Sequence, residues 1–346
     1  MAEPHKHHFL PVFYLKNWAQ NEGKLVQFSR PYKNIVKPQR KHPDGTGYID
    51  KLYAIEGFGG AVSQEVEKSF LSPVDSRAAS ALLSMLKGEM VTPQERKAWA
   101  HFIMTLLLRM PTEIQLLKQF TRAIESEVQS WLDTFIRENI PSKFHGKLDE
   151  AFQELRESTM SRQVEQILGA MSDDELIDRL VAMEWEIIDT ASSQNDLLTS
   201  DRPVVVNRNE QTEGNTVIVL PVGPRKLFVA STAPKLVSEL KKVGAKKLTE
   251  VVNIDVVGAA DQYVYGSSDR QLRFIQNRFG MNRAPSFVTD ILQKANLNIG
   301  SLMSMLPGFD DTDAKAKISA AVSRWETISQ AKTTGDVGGS TIPAVP

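Results

Sequence analysis

The sequence predicts an α+β fold: short N-terminal strands, a large helical section, then a mostly antiparallel sheet with C-terminal helices. Three observations carry this. Apolar residues recur at helical spacing over about residues 61–183. At about residues 184–266 they give way to short β-branched runs separated by Asn, Gly, Pro and Asp. Helices followed by strands, with no repeat and no clean linker between them, point to one α+β domain over residues 1–330.

The elements follow in order. "HKHHFLPVFYLKNWA" (His5–Ala19) sets histidines against a dense apolar block of Phe9, Leu10, Phe13, Tyr14, Leu15 and Trp18. Gly23–Arg30 reads as a turn and a strand. Pro38, Pro43, Gly45 and Gly47 predict an extended loop, with a second strand at Leu52–Ile55. A helical pattern from Ala61 to Leu86 is interrupted at Ser72-Pro73.

"TPQERKAWAHFIMTLLLRMP" is the clearest helix. Thr92 and Glu95 form a capping box, and Trp99, Phe102, Ile103, Leu106, Leu107 and Met110 make one stripe. Pro111 must kink or end it. A second helix carries Leu116 to Phe135, and further helices are expected over about 145–171 and 172–183, the last with Ser172 and Glu175 as another capping box. Four strands follow in "EWEIIDTAS", "DLLTSDRPVVV", "NTVIVLPV" and "RKLFVAS". A helix then runs into one more strand at Tyr263–Gly266, and the N-terminal strands can join this late sheet. Residues 331–346 are too poor in apolar side chains to fold and are expected to be a disordered tail.

Composition excludes several classes. No cysteine is present, which removes disulfide frameworks, Cys-based zinc sites, iron–sulfur clusters and thiol catalysis, and fits a reducing compartment. A net charge of −1 provides no global field for nucleic acid. Lys241, Lys242, Lys246 and Lys247 read as a solvated helix C-terminus near Gly244, or as a local binding patch. With no secretory leader and no apolar run of ~20 residues, a cytoplasmic protein without membrane contact is expected. P-loop, GxGxxG, HExxH and EF-hand patterns are absent.

Five stretches, "HHFLPVFYLKNWA", "KLYAIEG", "ERKAWAHFIMTLLLRMP", "EWEIIDTASSQNDLLTSDRPVVV" and "VVNIDVVGAADQYVYGSSDRQL", occur in order over roughly residues 5–275. Together they resemble a bacterial family known as domain of unknown function 4238. The family often has Ser-Asp-Asn-Pro where this chain has Ser200-Asp201-Arg202-Pro203; the arginine either brings a charge partner to Asp201 or points into solvent. The resemblance implies no reaction, cofactor or catalytic residue. It does imply an association with prophages and antiviral defence.

Candidate residues follow from chemistry and position. His8 stands where the family signature has its histidine. It is read as a metal ligand or acid–base group, or else as a core histidine bonded to a backbone carbonyl. Asp201, at a strand end before a proline, is read as a metal ligand or general base with Ser200 holding it, or else as the acceptor of an Asx-type turn. Ser200 as a nucleophile lacks an elbow motif and a base. Glu67 is a third candidate metal ligand, against a solvated helix carboxylate. Arg109 and Asn253 are candidate substrate-binding residues, or ordinary buried polar groups that must find partners. The expected function is a hydrolase-like effector, dependent on a divalent metal cation and directed at nucleic acid or a nucleotide. The alternative is a non-enzymatic module with a protein partner.

Overall fold

The computed structural model describes residues 6–32, 35–53, 70–139, 174–208, 216–282 and 286–289. The chain groups into two compact units, residues 1–114 with 168–284, and residues 115–167 with 285–346. Described parts of the second unit are most of one long helix and residues 286–289. Glu67, the helix expected over 145–171, the Ser172 capping box and the tail at 331–346 lie outside the described residues.

The described residues of the first unit form three antiparallel sheets. Strands β1 (Lys6–His8), β2 (Leu25–Tyr32), β3 (Ile35–Lys41) and β4 (Tyr48–Asp50) come from the N-terminal region, with the short helix α1 (Val12–Leu15) between the first two. Helices α2 (Ser72–Lys87), α3 (Pro93–Leu108), α4 (Pro111–Asn139) and α5 (Asp174–Ala182) follow. Strands β5 (Glu184–Asp189), β6 (Thr199–Ser200), β7 (Val205–Arg208), β8 (Thr216–Gly223) and β9 (Lys226–Ser231) precede helices α6 (Pro234–Lys242) and α7 (Ala245–Ala259). Strand β10 (Val264–Gly266) and helix α8 (Leu272–Gln276) complete the set. The architecture is α+β, as expected.

One sheet pairs β1 with β4, a second runs β3-β2-β10-β6, and a third runs β5-β9-β8-β7. Strand β10 pairs with both β2 and β6, so the N-terminal strands do join the late region of the chain. Two expectations need correction. The stretch containing Pro38 is strand rather than loop, because β3 lies at a sheet edge, where a proline's missing N–H removes no ladder bond. Of the strand expected at Leu52–Ile55, residues 54 and 55 lie outside the described residues, while Leu52 and Tyr53 lie buried in a turn that follows strand Tyr48–Asp50, whose partner is β1. "DLLTSDRPVVV" likewise divides into β6 and β7, which belong to different sheets.

Helix α7 feeds two cores. Val257 joins Val26, Phe28, Leu198, Val264, Ile275 and Phe279. Leu248, Val252 and Val256, on the preceding turns, join Ile188, Leu197, Leu227 and Val229. The capping box of Thr92 and Glu95 forms as predicted, and α3 stops at Leu108, ahead of Pro111, which opens α4.

The opening block is core. Phe9, Leu10, Tyr14, Leu15 and Trp18 are buried. The Tyr14 hydroxyl donates to the Pro221 carbonyl at 2.7 Å and meets Thr199 Oγ1 at 2.7 Å, while Trp18 Nε1 donates to the Leu197 carbonyl at 2.8 Å. Gly47 anchors this segment from the other side. Its carbonyl accepts from the Phe9 and Leu10 amides at 2.9 and 3.1 Å, and its φ of +68° is left-handed. A Cβ there would stand 3.0 Å from Leu15 Cδ1 and 3.1 Å from the Leu10 carbonyl. Gly47→Ala combines strain with overpacking, and a loss of about 2 kcal/mol is expected. Chemical denaturation reads this directly, and an unchanged midpoint would mean that the segment adapts.

Candidate functional site

Ser200-Asp201-Arg202-Pro203 leaves the two-residue strand β6 and meets the turn between α7 and β10. The Asp201 amide donates to the Tyr263 carbonyl at 3.0 Å. In return the buried Asp201 carboxylate accepts three backbone N–H groups: Asp261 at 2.9 Å on Oδ1, and Gln262 at 2.5 Å and Tyr263 at 3.0 Å on Oδ2. Three amides aimed at one carboxylate fix the helix-to-strand turn. Arg202 extends the clamp. Its Nε donates to Asp261 at 2.9 Å, and its Nη2 donates to Thr112 at 2.8 Å and Glu113 at 3.0 Å. Arg202 thus ties the first turn of α4 to the turn before β10.

Burial and the neighbouring Asp261 push the Asp201 carboxyl up to about 7, against three N–H donors that favour the anion. The folded chain therefore holds a proton there that the unfolded chain releases near pH 4. Stability from this proton is fully present below about pH 4 and is lost as the pH rises through about 7. Urea midpoints between these limits are expected to fall more steeply with pH for the wild type than for Asp201→Asn. Equal slopes would assign the drift to other groups.

A second constellation forms where β1, α2 and α3 supply side chains. Arg109, at the C-terminal end of α3, is fully buried, and its Nη1 donates to both oxygens of Asp75 on α2, at 3.0 and 3.1 Å. Its guanidinium lies 5.3 Å from the Phe102 ring centre. Nε and Nη2 are also buried, and neither has a hydrogen-bond partner among the described residues. A guanidinium offers five donors, and leaving some of them dry and unpaired is costly.

The His8 ring stands edge-on to Tyr48, with centres 5.5 Å apart, and donates to the Asp44 backbone carbonyl. Its Nε2 is buried without a partner among the described residues. With the proton on Nδ1, the lone pair would lie on Nε2. Burial is the largest influence and lowers the His8 pKa; the charges of Lys6 and Arg109 lower it further, against the Asp44 carbonyl. The ring is neutral at pH 7 and within reach of the Arg109 charge. Phe9 stacks on Tyr263 at 6.5 Å. Burial, then Asp201 and Tyr48, push the Tyr263 phenol up, so this tyrosine feels groups from both constellations.

The structure sorts the predicted residues. His8 and Arg109 are electrostatically coupled, and Arg109 has the carboxylate partner its burial required, in Asp75. Asp201 has the geometry of the turn alternative: both its oxygens accept backbone amide protons. Ser200 does not hold it: the Ser200 hydroxyl accepts from the Arg202 amide at 3.1 Å. Asn253 has the partners that the buried-polar alternative requires. It accepts from the Leu198 amide at 2.8 Å and donates to the Asp196 carbonyl at 2.9 Å, within the α7 core. No group of three His, Asp or Glu side chains among the described residues is placed to hold a metal ion. Sequence reasoning missed Asp75, Tyr48 and the Asp44 carbonyl. No local pattern marks them, since their partners are distant in sequence.

A family model described as "Protein of unknown function (DUF4238)" matches residues 6–270. No curated protein and no solved structure matches the chain. The matched span contains both constellations. No helix among the described residues is long and apolar enough to cross a membrane.

Proposed function

The chain belongs to this family of unknown function, a membership that assigns it no reaction, and we propose from its own geometry that it is a hydrolase acting on a phosphate-bearing substrate, a nucleic acid or a nucleotide. One observation carries the reading: buried guanidinium donors of Arg109 without partners among the described residues, electrically coupled to a neutral His8 with its Nε2 lone pair unused. A guanidinium fork matches phosphate oxygens, and a neutral imidazole of this tautomer is a general base. In the proposed step His8 Nε2 takes a proton from a water molecule as its oxygen attacks phosphorus. The P–O ester bond breaks, and the proton passes from His8 to the departing oxygen. Arg109 holds the phosphate while charge builds on it.

A divalent cation is the alternative use of the same lone pair: bound to a cation, His8 Nε2 would be a ligand and the base would have to be another group. Action against phage is carried by the family resemblance alone. The competing reading is a non-enzymatic interaction module, favoured by the structural use of Asp201 and Asn253. Hydrolysis of bis-p-nitrophenyl phosphate, p-nitrophenyl phosphate and single-stranded oligonucleotides, with Mg²⁺, Mn²⁺ or chelator, separates the two. Turnover lost on His8→Asn supports the hydrolase; turnover of none of these substrates by folded protein favours the module.

A further inference from the structure

At the opposite end of β10 from Tyr263 lies a cavity of about 230 Å³, lined by Lys24, Arg40, Asp196, Ser267, Ser268 and Arg270 among others. Ser267 is four residues beyond Tyr263, which at strand spacing is ~13 Å, so this cavity is separate from the His8–Arg109 constellation. Its charge is unbalanced. Asp196, the one carboxylate in the lining, is already paired with Arg225 at 2.6 Å. Lys24 reaches the exposed Glu22 at 2.8 Å. Neither Arg40 nor Arg270 forms a salt bridge with a carboxylate among the described residues, although the charge of Arg40 is felt by the exposed Glu22. The Ser267 hydroxyl is buried and has no hydrogen-bond partner there either.

The lining elements are held in place. Ser267 follows Gly266, where a Cβ would stand 2.9 Å from Leu198 Cδ2, so the strand end sits close against the core. Arg40 lies on β3 opposite Val26 of β2. The Asp196 carbonyl accepts from Gln271 Nε2 at 2.9 Å, next in sequence to Arg270. Two arginine forks from separate elements, a lysine and an unused hydroxyl around one small cavity suit a compact anion with several oxygens. Cavities for drug-sized ligands run from about 300 Å³ upward, so this one fits a phosphate group with little attached.

We propose that this cavity is a phosphate-binding site, distinct from the proposed hydrolytic centre, which takes inorganic phosphate or the phosphate of a nucleoside monophosphate. The test is calorimetric titration of the full chain with inorganic phosphate and with adenosine monophosphate at low ionic strength. Wild type, Arg40→Ala/Arg270→Ala, Ser267→Ala and Arg109→Lys are compared. Expected is a binding event weakened at least about tenfold by the double substitution and a few-fold by Ser267→Ala, and retained in Arg109→Lys, which can alter only a separate event at the other centre. Tighter binding of the nucleotide than of phosphate would identify it as the source of the anion. Absence of any phosphate-dependent heat, or binding indifferent to the Arg40/Arg270 change, overturns the site. Loss confined to Arg109→Lys also overturns it, because the phosphate would then occupy the other centre. Failure of this site leaves the hydrolase reading untouched, and the reverse holds.

Discussion

Asp201→Ala is expected to lower stability by about 4 kcal/mol, the largest loss for any single side chain in the described unit. The figure comes from counting donors. Removing the carboxylate leaves the Asp261, Gln262 and Tyr263 amides without their acceptor, at about 1–3 kcal/mol for each buried group, with partial relief by water at the rim. For a chain of this size the melting temperature should fall by about 5 °C. Asp201→Asn sharpens the argument. Turned so that its oxygen serves Gln262 and Tyr263, the amide sets its NH₂ against the Asp261 N–H, so one bond of three is lost. About half the alanine effect is expected, measured above pH 8 where the wild-type carboxyl is ionised. If alanine and asparagine cost the same, or neither costs anything, the clamp is not what holds the turn.

The clamp also shows what could be read from the sequence and what could not. Local periodicity and capping chemistry sufficed for the helix from Pro93 to Leu108, because Thr92, Glu95 and the apolar stripe are a short-range code. The same reasoning located the strands from Glu184 to Ser231, but it could not assign Thr199–Ser200 and Val205–Arg208 to different sheets. Sheet membership is a property of the partners, and β10 reaches Thr199 from more than sixty residues away. Pro38 misled for a related reason: a proline argues against a strand unless that strand is an edge, which no local window reveals.

The candidate site divides in the same way. Asp201 was visible as a polar residue at a strand end, where turn organiser and catalytic base look alike in sequence. Only the three amides of residues 261–263 separate the two. For Arg109, burial was legible from its place on the apolar face of a helix, and so was its need for an acid. The acid itself, Asp75, lies 34 positions earlier on another helix. His8 was legible in both of its readings, and the structure supplies something of each: the backbone carbonyl of Asp44 and an unused Nε2.

His8→Asn should abolish hydrolysis while leaving the fold nearly intact. The asparagine amide can still donate to the Asp44 carbonyl in place of Nδ1, so the link between β1 and the loop before β4 is kept. What is removed is the group at Nε2. A positioned general base contributes typically 10²–10⁴-fold, so kcat should fall by about that range with little change in KM. Arg109→Lys predicts the opposite division. Lysine keeps a positive charge against Asp75 but cannot present two parallel N–H groups to a phosphate, so KM should rise about tenfold or more, with a smaller change in kcat. The pH profile adds a readout that a structural role would not move. Burial and the charges of Lys6 and Arg109 hold the His8 pKa below its usual value, so the base limb should lie on the acid side of an ordinary histidine. Replacing Arg109 by leucine would remove one of these charges and move that limb back toward the usual value, if enough folded protein remains; Lys6→Gln moves it the same way without touching the core. Should kcat survive His8→Asn, or the limb stay fixed when both charges are changed, His8 is a structural histidine and the unused Arg109 donors serve binding alone.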